Sequence, residues 1–265
     1  MGGTQRHSGR NRPRPLGALR PFSASRTPSA SRPAPVSRHR PRDVTMPTPL
    51  SQRLRHETAT LHRQAERSGI MLGLLRGRLD RGDYVLLLRA LHEVYTALES
   101  RLDATASFPD VRPFYDRRLH RVASLAADLS LLHGVGWEDE VAAGHAAREY
   151  ADRILCATPL QLVAHAYVRY LGDLSGGQAL GQVVARALAL PNGDGTAFYR
   201  FPEIADAEQY KDRFRAALDA WPVSTTEADG VVREAQEAFR LNVRVFEGVA
   251  TRTAPSDAPP LPPGA

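Results

Sequence analysis

Between Pro159 and Pro191 the chain carries no proline, and inside that stretch Gly172, Gly176 and Gly177 fall within six positions. The flanking residues are good helix formers, so the segment predicts one long helix opened by Pro159 as a first-turn proline. Each interior glycine costs roughly 1 kcal/mol of helix stability relative to alanine. A chain that accepts this cost repeatedly gains something else: the backbone bends there, or something flat lies directly against it. Gly172 and Gly176 are four apart and share a face, and Gly177 and Gly181 extend the bare strip. A packing seam between two helices is the alternative. Its membrane version is excluded by Arg169 and Asp173 in the same segment.

The rest of the chain reads with the same period. Leu54, Thr58, Leu61 and Ala65 recur at i, i+4, i+7 and i+11. Helical patterns follow over residues 80–102, 119–132, 138–155, 206–218 and 226–250, and strand-like alternation is scarce. The expected fold is all-α: a single multi-helix domain over residues 47–252, with about seven to nine helices.

Composition bounds the ends. Residues 1–46 hold ten arginines and one acid, so the net charge of +6 leaves −3 for the remainder. The basic balance belongs to this segment, which argues against a nucleic-acid partner for the folded body. Its Arg/Pro/Ser-rich sequence has no apolar run able to bury a core, which predicts a disordered extension. Residues 253–265 read as a Pro-rich flexible C-terminus. Cys156 is the only cysteine, which excludes an intramolecular disulfide and a Cys-rich metal site, and it is expected to be a small buried hydrophobe. The longest uncharged run, residues 154–168, is interrupted by Pro159, Gln161 and His165 and falls short of the ~20 apolar residues that span a bilayer. A soluble, cytoplasmic body without a membrane anchor is expected.

Several polar residues stand out. His62 lies beside the apolar stripe of its helix, with Glu66 one turn on, where a carboxylate can accept an imidazole N–H and fix the tautomer. Arg55 lies two turns before His62, on the same face. From this helix alone, a surface His–Glu pair with a solvated arginine is the favoured reading. Asp173 sits beside the glycine strip with Arg169 one turn before it, where a carboxylate can hold an ordered water. Lys211 and Arg215 are two cations four apart, either a solvated patch or a clamp for carboxylates. Tyr95 and Asn242 are polar groups inside apolar helices. No HExxH, ExxH, GxGxxG, P-loop or GxSxG pattern is present.

Residues 54–66, LRHETATLHRQAE, resemble the proximal helix of heme oxygenases, and residues 167–178, YVRYLGDLSGGQ, are similar to their distal-helix signature. The resemblance continues through Phe201-Pro202-Glu203-Ile204, residues 211–215 and residues 238–242, and covers about residues 50–250. It implies a soluble, bacterial-type enzyme that cleaves heme b with O2 to biliverdin, CO and ferrous iron, with electrons from an external donor such as a ferredoxin or flavoprotein reductase. His62 would be the axial ligand of the heme iron, oriented by Glu66. Gly172, Gly176 and Gly177 would bind against the heme, the helix bending there to leave room for O2. Asp173 would anchor a water, with Tyr95, Arg169 and Asn242 in the same network. Arg55, Lys211 and Arg215 would hold the propionates, and Phe239 would line the pocket. Ala59 stands where many members carry a second basic residue, and Val168 where part of the family has a hydroxyl. A heme-binding carrier or sensor that leaves the ring intact is the alternative expectation.

Overall fold

The structure is a computed structural model that describes residues 48–253, with side chains to residue 250. The expected disordered extension over residues 1–46 and nearly all of the Pro-rich C-terminus lie outside the described residues. Among the described residues there are nine α-helices, four 3₁₀ turns and no strand. The fold is all-α, as the periodicity predicts.

Three long helices position everything else. α3 (Arg81–Thr105) begins at Asp80, whose carboxylate accepts the Asp83 N–H in a capping box. α7 (Pro159–Ala187) starts in the same way, with Thr158 as N-cap, Pro159 in the first turn and Gln161 closing the box. It runs as one unbroken helix of 29 residues through all four glycines, so the glycines do not interrupt its hydrogen-bond ladder. α9 (Thr225–Thr253) lies against α7. α1 (Leu50–Arg67) packs on α9 and α8 (Ala207–Asp219), burying Leu50, Leu54, Thr58 and Ala65. The short α2 (Gly69–Leu75) turns back against α9 and α7. α4 (Val122–Leu132) and α6 (His145–Leu155) cover α3. No helix of the described residues is long and apolar enough to cross a membrane.

Two local expectations are corrected. The helical pattern over residues 138–155 is two helices, α5 (Trp137–Glu140) and α6. The chain turns between them through Gly144, whose φ of 91° is a conformation that side chains with a Cβ rarely adopt. Cys156 is exposed, not buried. It caps the C-terminus of α6, where Ile154 and Ala157 take the inward positions and the thiol is left outside.

Candidate functional site

α7 empties one of its faces. A Cβ added at Gly172 or Gly176 would meet nothing within 4 Å, so both backbones border open space. Gly177 and Gly181 behave differently. A Cβ at Gly177 would lie 3.6 Å from Tyr199, and one at Gly181 only 3.1 Å from the Tyr199 Cβ. One residue is about 100° of helix rotation at 3.6 residues per turn, so the 177/181 pair looks sideways at Tyr199. The single bare strip expected from the sequence is therefore two strips: one opens a cleft, and the other seats an aromatic ring. Gly177 still borders the cleft, but it is buried against Tyr199.

The open strip faces a cleft of about 280 Å³, lined among others by His62, Glu66, Asp173, Phe239 and Asn242. Phe198 and Tyr199 also line it. These belong to a 3₁₀ turn pinned from α4, where the buried Asp128 carboxylate accepts the Ala197 and Phe198 N–H groups at 2.9 and 2.8 Å. Sequence reasoning missed this wall, because an aspartate 70 residues away that caps a loop leaves no local pattern.

His62 and Glu66 form the expected pair on α1, with Nδ1 3.5 Å from the Glu66 carboxylate and both side chains half-exposed. The His62 ring meets Phe239 of α9 edge-on, with centroids 5.6 Å apart. Glu66 thus stands beside Nδ1, and among the described residues no hydrogen bond or ion pair reaches Nε2.

On the α7 side, the four expected polar residues come together around Arg169. Its Nε donates to the Tyr95 hydroxyl at 3.1 Å, and its Nη1 to Asn242 Oδ1 at 2.7 Å. Its Nη2 lies 3.5 Å from Asp173 Oδ1. The Tyr95 hydroxyl in turn donates to the other Asp173 oxygen. Burial pushes the Asp173 carboxyl above its ordinary range, against the pull of Arg169. Burial also drives the Tyr95 phenol well up. Burial alone would lower the Arg169 guanidinium, but the neighbouring Tyr95 and Asp173 more than reverse this. The set is a buried, cross-linked polar patch that presents a carboxylate next to the open glycine strip.

The cleft continues outward as a groove of about 530 Å³ that shares His62, Val168, Gly172, Ser175 and Phe239 with it. Arg55 and Arg215 line this outer part, as does Ala59. The sequence reading missed two further residues there. Arg63 is one turn beyond Ala59, and Tyr167 lies within electrostatic reach of both Arg55 and Arg215. The third cation, Lys211, is placed differently. It is buried behind the groove, and its ammonium donates to Glu208 at 2.6 Å and to Ser175 Oγ at 3.2 Å.

The residues present suit a metal that arrives inside a flat organic ligand. No cluster of three metal-binding side chains exists among the described residues, so a cage made of protein alone is not on offer. A half-exposed imidazole with one nitrogen engaged, in the same cleft as two glycines that leave room for a plane, fits a metal needing a single protein ligand.

Comparison with known proteins points the same way. The family model described as heme oxygenase matches residues 48–248. A heme oxygenase of Pyropia yezoensis is 40% identical over 201 residues, covering 75% of this chain and 84% of that protein. Heme oxygenase 1 of Homo sapiens is 37% identical over 213 residues, covering 78% and 74%. The solved heme oxygenase of Leptospira interrogans superposes with a TM-score of 0.72 at 37% identity, over 76% of this chain and 99% of that one. Heme oxygenase-1 of Synechocystis sp. PCC6803, solved in complex with heme, gives 0.74 at 35% identity, over 77% and 94%. With a family model spanning most of its length and relatives of this similarity, the chain belongs to the heme oxygenase family and is a heme-degrading enzyme.

Proposed function

We propose that this enzyme cleaves heme b with O2 to biliverdin, CO and ferrous iron, drawing electrons from an external donor such as a ferredoxin or a flavoprotein reductase. The observation that carries the reading is the shared cleft: His62 with Nδ1 beside Glu66, the open Gly172/Gly176 backbone, and the Asp173 carboxylate next to that backbone. When bound, the heme supplies both the iron that activates O2 and the ring that is cut.

The chain's own residues do the rest. His62 would supply the nitrogen that holds the heme iron, and Glu66, beside Nδ1, would accept from it, fixing the tautomer and raising the basicity of Nε2. Gly172 and Gly176 admit the macrocycle close to the α7 backbone. Asp173 would hold a water by accepting a hydrogen bond from it, while Tyr95 and Arg169, backed by Asn242, hold the carboxylate in place. Phe239 packs against the His62 ring. Arg55 and Arg215 bind the propionates at the outer groove, and Arg63 supplies a cation near the place where Ala59 has none.

An optical time course tests this. Hemin added to the protein should give a Soret band, and a reductant in air should replace it with biliverdin absorption. A Soret band that persists under reductant and air would instead mark a carrier or sensor.

A further inference from the structure

The outer groove holds one contact that has no part in the clamp reading, that of Glu208 with Lys211. Its lining carries three arginines, Arg55, Arg63 and Arg215, and one carboxylate among the described residues, Glu208. That carboxylate is not idle. It lies 2.6 Å from the ammonium of Lys211, whose side chain is 5% exposed, while the Glu208 side chain itself is 78% exposed. The second contact of Lys211 is the hydroxyl of Ser175, a residue that lines both the deep cleft and the groove. The amine is therefore buried, and it sits directly behind the wall that an acidic ligand would touch. The acid is a long side chain in the first turn of α8, free to swing into water.

We propose that Glu208 is a placeholder carboxylate. It occupies the Lys211 ammonium in the empty protein and is displaced when a ligand carboxylate takes its place on Lys211 and Ser175. This rests on the reading of the groove as the seat of the heme propionates. The exchange keeps the charge on Lys211 balanced throughout: one carboxylate leaves for solvent as another arrives. A buried ammonium is costly to leave unpaired, and an exposed carboxylate is cheap to release. Glu208 therefore competes with the ligand carboxylate for Lys211 and lowers its affinity, while a ligand with no carboxylate to exchange leaves the Glu208–Lys211 pair in place.

The test is an optical titration of the full chain at low ionic strength with hemin and with hemin dimethyl ester, whose propionates are blocked. Glu208→Gln should tighten hemin about two- to fivefold, the scale of one partly exposed ion pair, and leave the dimethyl ester unchanged. In a Lys211→Met background, the same substitution should give no gain. Raising the salt should shrink the wild-type difference. Unchanged or weaker hemin binding by Glu208→Gln would overturn the placeholder, as would an equal gain for the dimethyl ester. If the wild type gave no Soret band with either compound, the heme reading of the groove would fall, and the placeholder with it.

Discussion

Arg169 of α7 and Asn242 of α9 meet side chain to side chain at 2.7 Å, 73 residues apart, and Asn242 returns a second bond to its own helix at the Ala238 carbonyl. The guanidinium that holds Asp173 is thus itself held by another helix. Replacing Asn242 with Leu removes the acceptor and leaves one arm of a buried cation unpaired. The expected cost is about 1–3 kcal/mol, read as a lower midpoint in urea. Loss of biliverdin formation should exceed loss of heme affinity, because the proposed iron ligand, His62, is on α1.

Asp173→Ala should leave heme binding within a few-fold of wild type and lower the rate of biliverdin formation about 10²–10⁴-fold, the range of a lost proton-handling group. Asp173→Asn keeps an acceptor for the Tyr95 hydroxyl and should fall between the two. Rates from single-turnover absorbance decide it, and normal turnover in Asp173→Ala would remove the water-holding role.

His62→Ala should shift the Soret band of the heme complex and abolish turnover, and added imidazole should restore both in part. Glu66→Gln keeps an acceptor for Nδ1 but loses the charge, so it should weaken heme binding modestly without changing the band position. Bilin formation by His62→Ala at the wild-type rate would refute the axial assignment.

The glycines separate into two outcomes. Gly172→Ala adds a methyl group to open space and a better helix former, so the empty protein should gain about 1 kcal/mol of stability while its heme affinity drops. Gly181→Ala presses on the Tyr199 Cβ and ring carbons at 3.1–3.4 Å, so overpacking of about 1–3 kcal/mol should outweigh the helix gain. Denaturation midpoints of the two apoproteins, compared side by side, check the sign of each.

Glu99 gives a pH signature. Burial pushes its carboxyl up to about 7, although the Arg121 and Val122 N–H groups and the Arg121 side chain pull it down. His120 faces it at 3.7 Å, and Asp103 and Tyr170 lie within electrostatic reach. A raised acid pKa means that the folded state binds the extra proton. Stability from this group is therefore fullest below the unfolded value near 4.5 and falls as pH rises through 7. His120, held below its ordinary range by burial, works the other way as pH falls. Comparison with Glu99→Gln isolates the carboxyl. Between pH 5 and 8 the wild type should lose on the order of 3 kcal/mol more than the variant. Parallel urea curves across that range would show instead that Glu99 does not titrate there.

What the sequence made legible was local. The Pro159 start of α7, the His62–Glu66 spacing and the common face of Gly172 and Gly176 all follow from positions within one or two turns. What it hid was set by partners from elsewhere. Nothing around Gly181 announces Tyr199, nothing around Ala197 announces Asp128, and the pairing of Lys211 with Glu208 is visible as a spacing but not as a choice over solvent. The exposed Cys156 and the break before His145 were misread for the same reason. Periodicity says which residues can share a face, while the neighbouring helices decide which face is turned inward.

The two glycine strips of α7 also place the enzyme under divided selection. Variants picked only for resistance to heat in the empty state would accumulate side chains at 172 and 176 and keep position 181 bare, drifting toward a sturdier bundle with nowhere to put its substrate. If heme seats against 172 and 176 as proposed, the demands of folding and of substrate binding are opposed there, while at 181 folding alone keeps the glycine. A library screened in the presence of heme and one screened without it should diverge first at those two positions.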